Sequence, residues 1–419
     1  MSMFNFHRLV KFNPKQLGKL DENIGTVLRV DPPYSLLKEN KKPSGARKKV
    51  IWFGFGNHQK VLKDINVSAF VKIYNDCLDF VRRECADCDL YYKPHPVETD
   101  EYKSFRLDGF KIIRDQGLGE LFLYKNWNQV KYVFSVSSTI SRAAYGMGFN
   151  AYIFFKLFRS AYSGRVVSGY ENFFAGMPTS FYISNLNEKL KENAPELKRD
   201  VVLEEHLREV LVNHPGKTWF VVADPALLLM TMAVANLIRI LSPTRPIELL
   251  LPYHERWNLI NKEEIRTYFD RITDFPILQN SLRPQNLPGF FKGILATVLK
   301  IGKLDIGSGD VLIGVGPGSL VENYLISHFL NYSIALTTQE VFDNCHKFET
   351  PLDLTDFEIK PAALIFNKII DPLLGLHRTF RRLRRPSGRN GLIFSRYQQP
   401  VNEIFDAVYV LKFFDEKKF

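Results

Sequence analysis

The feature that most constrains this chain is a series of short runs rich in β-branched and aromatic residues. Each breaks into polar or glycine-containing residues and gives way to helical spacing. Leu90–Pro96, LYYKPHP, is one such run, and Val133–Gly148, VFSVSSTISRAAYGMG, is its echo. Val50–Gly54, VIWFG, is a third, followed by Val67–Glu84 with apolar residues at helical intervals. Strands alternating with helices in this way form βαβ units and parallel sheets. Ligands of open parallel sheets bind beyond the carboxyl ends of the strands, so two polar breaks about 40 residues apart can share one crevice.

The pattern predicts further strands at Phe110–Ile113, Val130–Val136 and Ala151–Phe155, with helices from Leu118 and over Ser138–Gly146. Glu188–Asn213 is charged and helical in spacing, and His214-Pro215-Gly216 breaks it, which marks a domain boundary. A second series opens with strand Thr218–Ala223 and a helix to Leu241, with Asp224-Pro225 as cap and first-turn proline. It continues with strand Ile247–Leu251, helix Lys262–Ile272 and a connector bearing Pro276, Pro284 and Pro288. Strand Val311–Gly314, helix Leu320–Leu330 and strand Tyr332–Thr337 complete it. The expectation is an α/β protein with two Rossmann-like parallel-sheet domains, residues 49–215 and 216–419, after an N-terminal strap and linker over residues 1–48.

Charge narrows the partners. The chain carries 56 Lys and Arg against 45 Asp and Glu, a formal charge of +11. That favours anionic partners such as nucleotides, polyanionic glycans, nucleic acid or acidic lipid. Apolar content of 45% is ample for packed cores and excludes a disordered chain. Cys85-x-x-Cys88 has no second pair and no His-x-x-x-His beside it, so no metal site is expected. With Cys77 and Cys345 it reads as reduced thiols of a reducing compartment. The opening MSMFNFHRLVKFNP lacks the apolar core of a signal peptide. Val221–Ile238 is apolar, but Asp224, Pro225 and Asn236 interrupt it, which fits a strand and helix better than a membrane span. These features predict a cytoplasmic protein with, at most, peripheral contact on the inner face of the membrane.

The polar breaks carry the candidate chemistry. In Lys93-Pro94-His95-Pro96 two prolines fix the turn and hold His95 at a strand end, where an imidazole can donate to a leaving phosphate. Lys93 adds a point charge. Ser135-x-Ser137-Ser138-Thr139 lies where strand meets helix, a position that binds phosphate through free N–H groups and the dipole. The same serines equally suit an ordinary N-cap. Glu120, at a helix start after Gly117 and Gly119, can accept from ribose hydroxyls or merely favour a first helical turn. Gly54-Phe55-Gly56 permits close approach of a ligand to the backbone. Gly316-Pro317-Gly318-Ser319 lacks the Lys-Ser/Thr of a P-loop and reads as a tight strand-to-helix turn lining the acceptor side. Glu340 and Asp343, in LTTQEVFDN, are the candidate carboxylate bases, though a solvated loop explains them as well.

His377–Arg389, HRTFRRLRRPSGR, sets Arg378, Arg381, Arg382, Arg384 and Arg385 around Phe380 and Leu383. It suits an anionic membrane surface or a polyanionic glycan, or is a solvated basic helix. No RRM, KH or helix-turn-helix pattern surrounds it, so nucleic acid is not expected.

Taken together, LYYKPHP, then Glu120, then SVSSTISRAAYGMG resemble the nucleotide-binding domain of bacterial sialyltransferases, in particular the polysialyltransferase and lipooligosaccharide sialyltransferase families. The specific motifs span about Val50–Phe155. The resemblance implies a GT-B fold, two Rossmann-like domains facing a central cleft, with a CMP-sialic acid donor, a glycan acceptor and no cofactor or metal. It implies that His95 protonates the CMP phosphate, with Pro96 fixing the turn, that Ser137, Ser138 and Thr139 hold that phosphate, and that Glu120 holds the ribose. Family members place the acceptor-side domain first. Here Thr218–Phe419 resembles that domain, so a circularly permuted order is expected, with the two chain ends meeting. The family's base lies in a D/E-D/E-G motif; Gln339-Glu340-Val341 lacks its glycine. The competing readings are a CMP-Kdo or CDP-polyol transferase of capsule or cell-wall assembly, and a non-catalytic nucleotide- or glycan-binding protein.

Overall fold

The computed structural model of the chain describes residues 26–39, 47–55, 65–95, 98, 104–114, 117–222, 225–252, 255–275, 287–315, 321, 322, 325, 331–338 and 405–411. These form two compact α/β units. Residues 32–199 make one, and residues 26–31 with 200–411 make the other. Strand β1 (Thr26–Val30) belongs to the second unit, and helix α1 (Tyr34–Glu39) opens the first.

In the first unit the elements alternate as the sequence predicts. They are β2 (Lys49–Phe53), α2 (Val67–Glu84), β3 (Asp89–Lys93), β4 (Phe110–Ile112), α3 (Gly119–Lys125), β5 (Val130–Ser135), α4 (Thr139–Gly146) and β6 (Asn150–Ile153). A 3-10 turn over Phe155–Ser160 leads to α5 (Gly164–Phe173). The strands pair in parallel in the order β4-β3-β2-β5-β6. Val50, Ile51, Trp52 and Phe53 are all buried, as a central parallel strand covered on both faces requires. Asn66 caps α2 by accepting from the Ala69 N–H at 3.1 Å, and the helix buries Phe70, Tyr74, Cys77, Leu78 and Val81 at three- and four-residue steps. The rings of Tyr74 and Phe154 each lie 5.2 Å from the Trp52 ring, and burying each such side chain contributes about 1.5–3 kcal/mol.

The second unit contains α6 (Val201–Asn213), β7 (Thr218–Val222), α7 (Leu228–Leu241), β8 (Ile247–Leu251), β9 (Arg271–Asp274), α8 (Leu287–Ile301), β10 (Val311–Val315), β11 (Tyr332–Thr338) and β12 (Ala407–Leu411). Its sheet is parallel throughout, in the order β1-β12-β11-β10-β7-β8-β9. Arg245, buried, binds the carbonyls of Leu211, His214 and Lys217 and the Thr218 hydroxyl, which fixes the end of α6 against the start of β7.

Several local expectations give way to long-range ones. Glu188–Arg199 is not helical; the helix begins only at Val201, where the Asp200 carboxylate accepts from the Leu203 N–H at 2.9 Å. The preceding strap instead borrows the edge of β6: the Asn193 side chain accepts from the Ala151 N–H at 3.1 Å and donates to its carbonyl at 2.8 Å. Lys262–Ile272 is likewise not one helix. Lys262–Glu264 is a 3-10 turn and Arg271–Asp274 is β9, recruited by the open edge of β8. The proline-rich connector ends in α8, whose Pro288 lies in its first turn, where no intrahelical donor is lost. β1 and β12, neither read as strands, pair with each other, Val30 opposite Leu411.

Val221–Ile238 divides between β7 and α7, and among the described residues no helix is long and apolar enough to cross a membrane. Asp224, Cys345 and the two chain ends, on which the permuted order bears, lie outside the described residues.

Candidate functional site

The first unit's sheet reverses its strand order between β2 and β5. At such a switch point the loops leave in opposite directions and open a crevice at the carboxyl edge. Phe53 pairs with Lys93 on one side and with Ser135 on the other. The residues just past these three strands, Gly54, Pro94–His95 and Val136–Ser138, therefore emerge level with one another. The two motifs singled out from sequence flank the same strand.

The His95 turn is held from below. The Gly54 N–H donates to the Lys93 carbonyl at 2.9 Å. The His95 N–H donates to Glu98 Oε2 at 3.0 Å, while the Glu98 N–H donates to the His95 carbonyl at 2.8 Å. Glu98 Oε1 accepts from the Tyr92 hydroxyl at 2.6 Å; Tyr92 receives the Tyr74 hydroxyl at 3.3 Å, and Tyr74 receives Trp52 Nε1 at 2.6 Å. Burial pushes both phenols well above their ordinary range and the Glu98 charge adds to the rise, so both stay protonated donors. A Cβ on Gly54 would lie 2.1 Å from Glu98 Oε2, so the glycine is what admits the carboxylate. Sequence reading missed Glu98. Its signal was the spacing His95-x-x-Glu98, that of a capping box, in which a side chain three residues on returns to the first N–H.

His95 itself is half-buried, whereas Lys93 is 3% exposed, with its ammonium 5.6 Å from the centroid of the Phe122 ring on α3. Lys93 is thus packed against α3. Gly119 brings that helix close: a Cβ there would lie 3.0 Å from Ile140 and 3.1 Å from Phe53. Glu120, in the first turn of α3, accordingly starts beside β2 and α4. Its charge reaches the Tyr34 phenol of α1, whose pKa is raised mainly by burial and further by Glu120.

The serine turn divides its labour. Ser135 Oγ accepts from the Ser138 N–H at 3.0 Å and pairs with Ser141 Oγ at 2.7 Å. Ser138 is the N-cap of α4 and accepts from the Ile140 N–H at 3.4 Å. Accepting there leaves its hydroxyl proton to be donated outward. Thr139 is the exposed first residue of α4. Ser137 Oγ, by contrast, is closed to solvent and has no hydrogen-bond partner.

Gly56, Pro96, Gly316, Gly318, Ser319, Glu340, Asp343 and the arginines 378–385 lie outside the described residues. Cys77, Cys85 and Cys88 are buried free thiols; burial pushes Cys85 up to about 12 and Cys88 up to about 11. Among the described residues no His, Cys, Asp and Glu side chains gather into a metal-binding group.

What this arrangement can do is specific in type. It offers one imidazole on a braced turn, a helix N-terminus with a capping hydroxyl, and a carboxylate one helix away, all at one sheet's switch point. Compared with known proteins, the chain matches no family model, no curated protein and no solved structure.

Proposed function

We propose that the chain is a GT-B glycosyltransferase that moves sialic acid, or a related 2-keto sugar acid, from a CMP-linked donor to a glycan acceptor. The observation that carries the reading is the placement of the His95 turn and the Ser137–Ser138 turn on the two strands that flank β2 at the switch point. The presence of two parallel-sheet units supports the GT-B class.

In this reading the CMP phosphate rests on the first turn of α4, whose dipole favours an anion. The Ser138 hydroxyl donates to it and Glu120 accepts from the ribose. As the glycosidic bond breaks, charge builds on the phosphate, and His95 donates to it as hydrogen-bond donor or general acid. Attack by the acceptor hydroxyl from the opposite face inverts the anomeric centre, with Glu340 or Asp343 as base. The positive charge of the chain and its arginine cluster suit a polyanionic acceptor or an anionic membrane surface.

Turnover of CMP-sialic acid, CMP-Kdo and CDP-glycerol, measured side by side, tests the reading. His95→Ala should lower turnover of the preferred donor by about 10²-fold or more, the scale of a lost general acid. Unchanged turnover in that variant, or no turnover of any CMP-linked donor by the parent chain, sinks it.

A further inference from the structure

Three hydroxyls meet at the carboxyl edge of the first unit's sheet without satisfying one another. Ser137 follows β5, Tyr162 lies between β6 and α5, and Tyr170 is on α5. Ser137 and Tyr162 are each 7% exposed. Ser137 Oγ and the Tyr162 hydroxyl are both closed to solvent and neither completes a hydrogen bond. Ser137 nonetheless faces both phenols closely enough to offset part of the rise that burial imposes on them. Ser163, next to Tyr162, adds a further buried hydroxyl with no partner.

The position is fixed by backbone. The Asn66 N–H donates to the Ala161 carbonyl at 2.8 Å and Ile65 forms an antiparallel bridge with Tyr162. This ties the β6–α5 connection to the start of α2, hence to the edge where β2 ends. The Tyr162 ring packs on Phe70, Phe158 and Tyr170 at 5.7–6.0 Å, so its hydroxyl is held rather than free to swing away.

Buried hydroxyls without partners are costly and rare. The turn supplies acceptors or donors to its neighbours Ser135, Ser138 and Ser141, yet none to Ser137. What a cluster of neutral O–H donors lacks is a group that only accepts. We propose that the hydroxyls of Ser137, Tyr162 and Tyr170 form a subsite for a carboxylate carried beside the phosphate ester of the bound donor. This rests on the nucleotide-sugar reading and deepens it. In a CMP-linked 2-keto sugar acid, the carbon that bears the phosphate ester also bears the carboxylate. The two oxyanions are neighbours, as Ser138 at the helix N-terminus and Ser137 beside it are neighbours. A polyol phosphate donor has no such carboxylate.

The test is calorimetric titration of CMP, CMP-sialic acid and CDP-glycerol into the full chain and into Tyr162→Phe and Tyr170→Phe. Tyr162→Phe and Tyr170→Phe should each weaken CMP-sialic acid by about tenfold, the worth of one charge-assisted hydrogen bond, and leave CMP and CDP-glycerol unchanged. Parallel weakening of all three ligands, or no change in any, overturns the subsite while the nucleotide reading stands. Failure of the parent chain to bind CMP removes that reading and the subsite with it. A second readout needs no ligand. Tyr162→Phe should melt at the same temperature as the parent or higher, because it deletes an unpartnered buried hydroxyl. A melting temperature several degrees lower means that the hydroxyl has a structural partner, and overturns the assignment.

Discussion

Glu98 grips His95 from both directions, accepting its N–H on Oε2 at 3.0 Å and donating its own N–H to the His95 carbonyl at 2.8 Å. The carboxylate is 8% exposed and its other oxygen takes the Tyr92 hydroxyl. Glu98→Ala takes this acceptor from the buried Tyr92 hydroxyl and from the half-buried His95 N–H. The expected cost is about 2–4 kcal/mol, on the scale of two unsatisfied donors. Glu98→Gln keeps one acceptor oxygen and should lose about half as much. Chemical denaturation followed by tryptophan fluorescence reads both, because Trp52 heads the same chain of hydrogen bonds. Equal stability of the Ala and Gln variants would remove the bracing role.

Gly54 and Glu98 form a second pair. A methyl group at Gly54 would lie 2.1 Å from Glu98 Oε2 and 2.8 Å from the Tyr92 hydroxyl. Gly54→Ala should therefore cost about 1–3 kcal/mol as overpacking. Most of that clash vanishes when Glu98 is already Ala. A double-mutant cycle should give a coupling of about 1 kcal/mol or more, with the double variant more stable than the sum of the singles predicts. Strict additivity would mean that Gly54 is needed for some other reason.

Much of the fold was readable locally because buried parallel strands announce themselves. VIWF and TWFVV are continuous apolar runs, and α2 combines a strong cap with regular apolar spacing. What escaped was decided by distant partners. RITD is a strand because β8 has an open edge beside it, and Glu188–Arg199 is a strap because Asn193 finds Ala151 across 42 residues of chain. The same division runs through the site. His95 and Ser137–Thr139 carry their signals in adjacent residues. Glu98 acquires meaning only through Gly54 and Tyr92, and Tyr162 only through Ser137, contacts that no local window contains.

In the second unit Asp310 is the residue on which two strand starts depend. It is 4% exposed and accepts three donors: the Lys217 N–H at 2.7 Å, Trp219 Nε1 at 2.7 Å and the Gly307 N–H at 3.0 Å. Asp310→Ala strands all three and should lower stability by about 3 kcal/mol or more. Asp310→Asn keeps an oxygen on one side only and should fall between. The near-ultraviolet signal of Trp219 should weaken in both. A loss below about 0.5 kcal/mol, the range of ordinary surface substitutions, would show that solvent reaches these donors.

His206 on α6 meets Tyr409 on β12 with Nδ1 and the phenol oxygen 2.7 Å apart. Burial holds the Tyr409 phenol well above its ordinary range, so it donates and Nδ1 accepts, which puts the ring proton on Nε2. Burial also lowers the His206 pKa below its ordinary 6.5, with Glu209 opposing the shift. The unfolded chain then binds more protons at this group than the folded one as pH drops below 6.5. The stability that His206 contributes is present above pH 6.5 and is lost as pH falls from there toward its folded value. His206→Asn retains an acceptor for Tyr409 but does not titrate. The stability gap between parent and variant, measured by urea unfolding from pH 8 to pH 5, should hold steady above 6.5 and narrow below it. A gap that widens on acidification would require a protonated His206 in the folded state and would reverse the hydrogen bond drawn here.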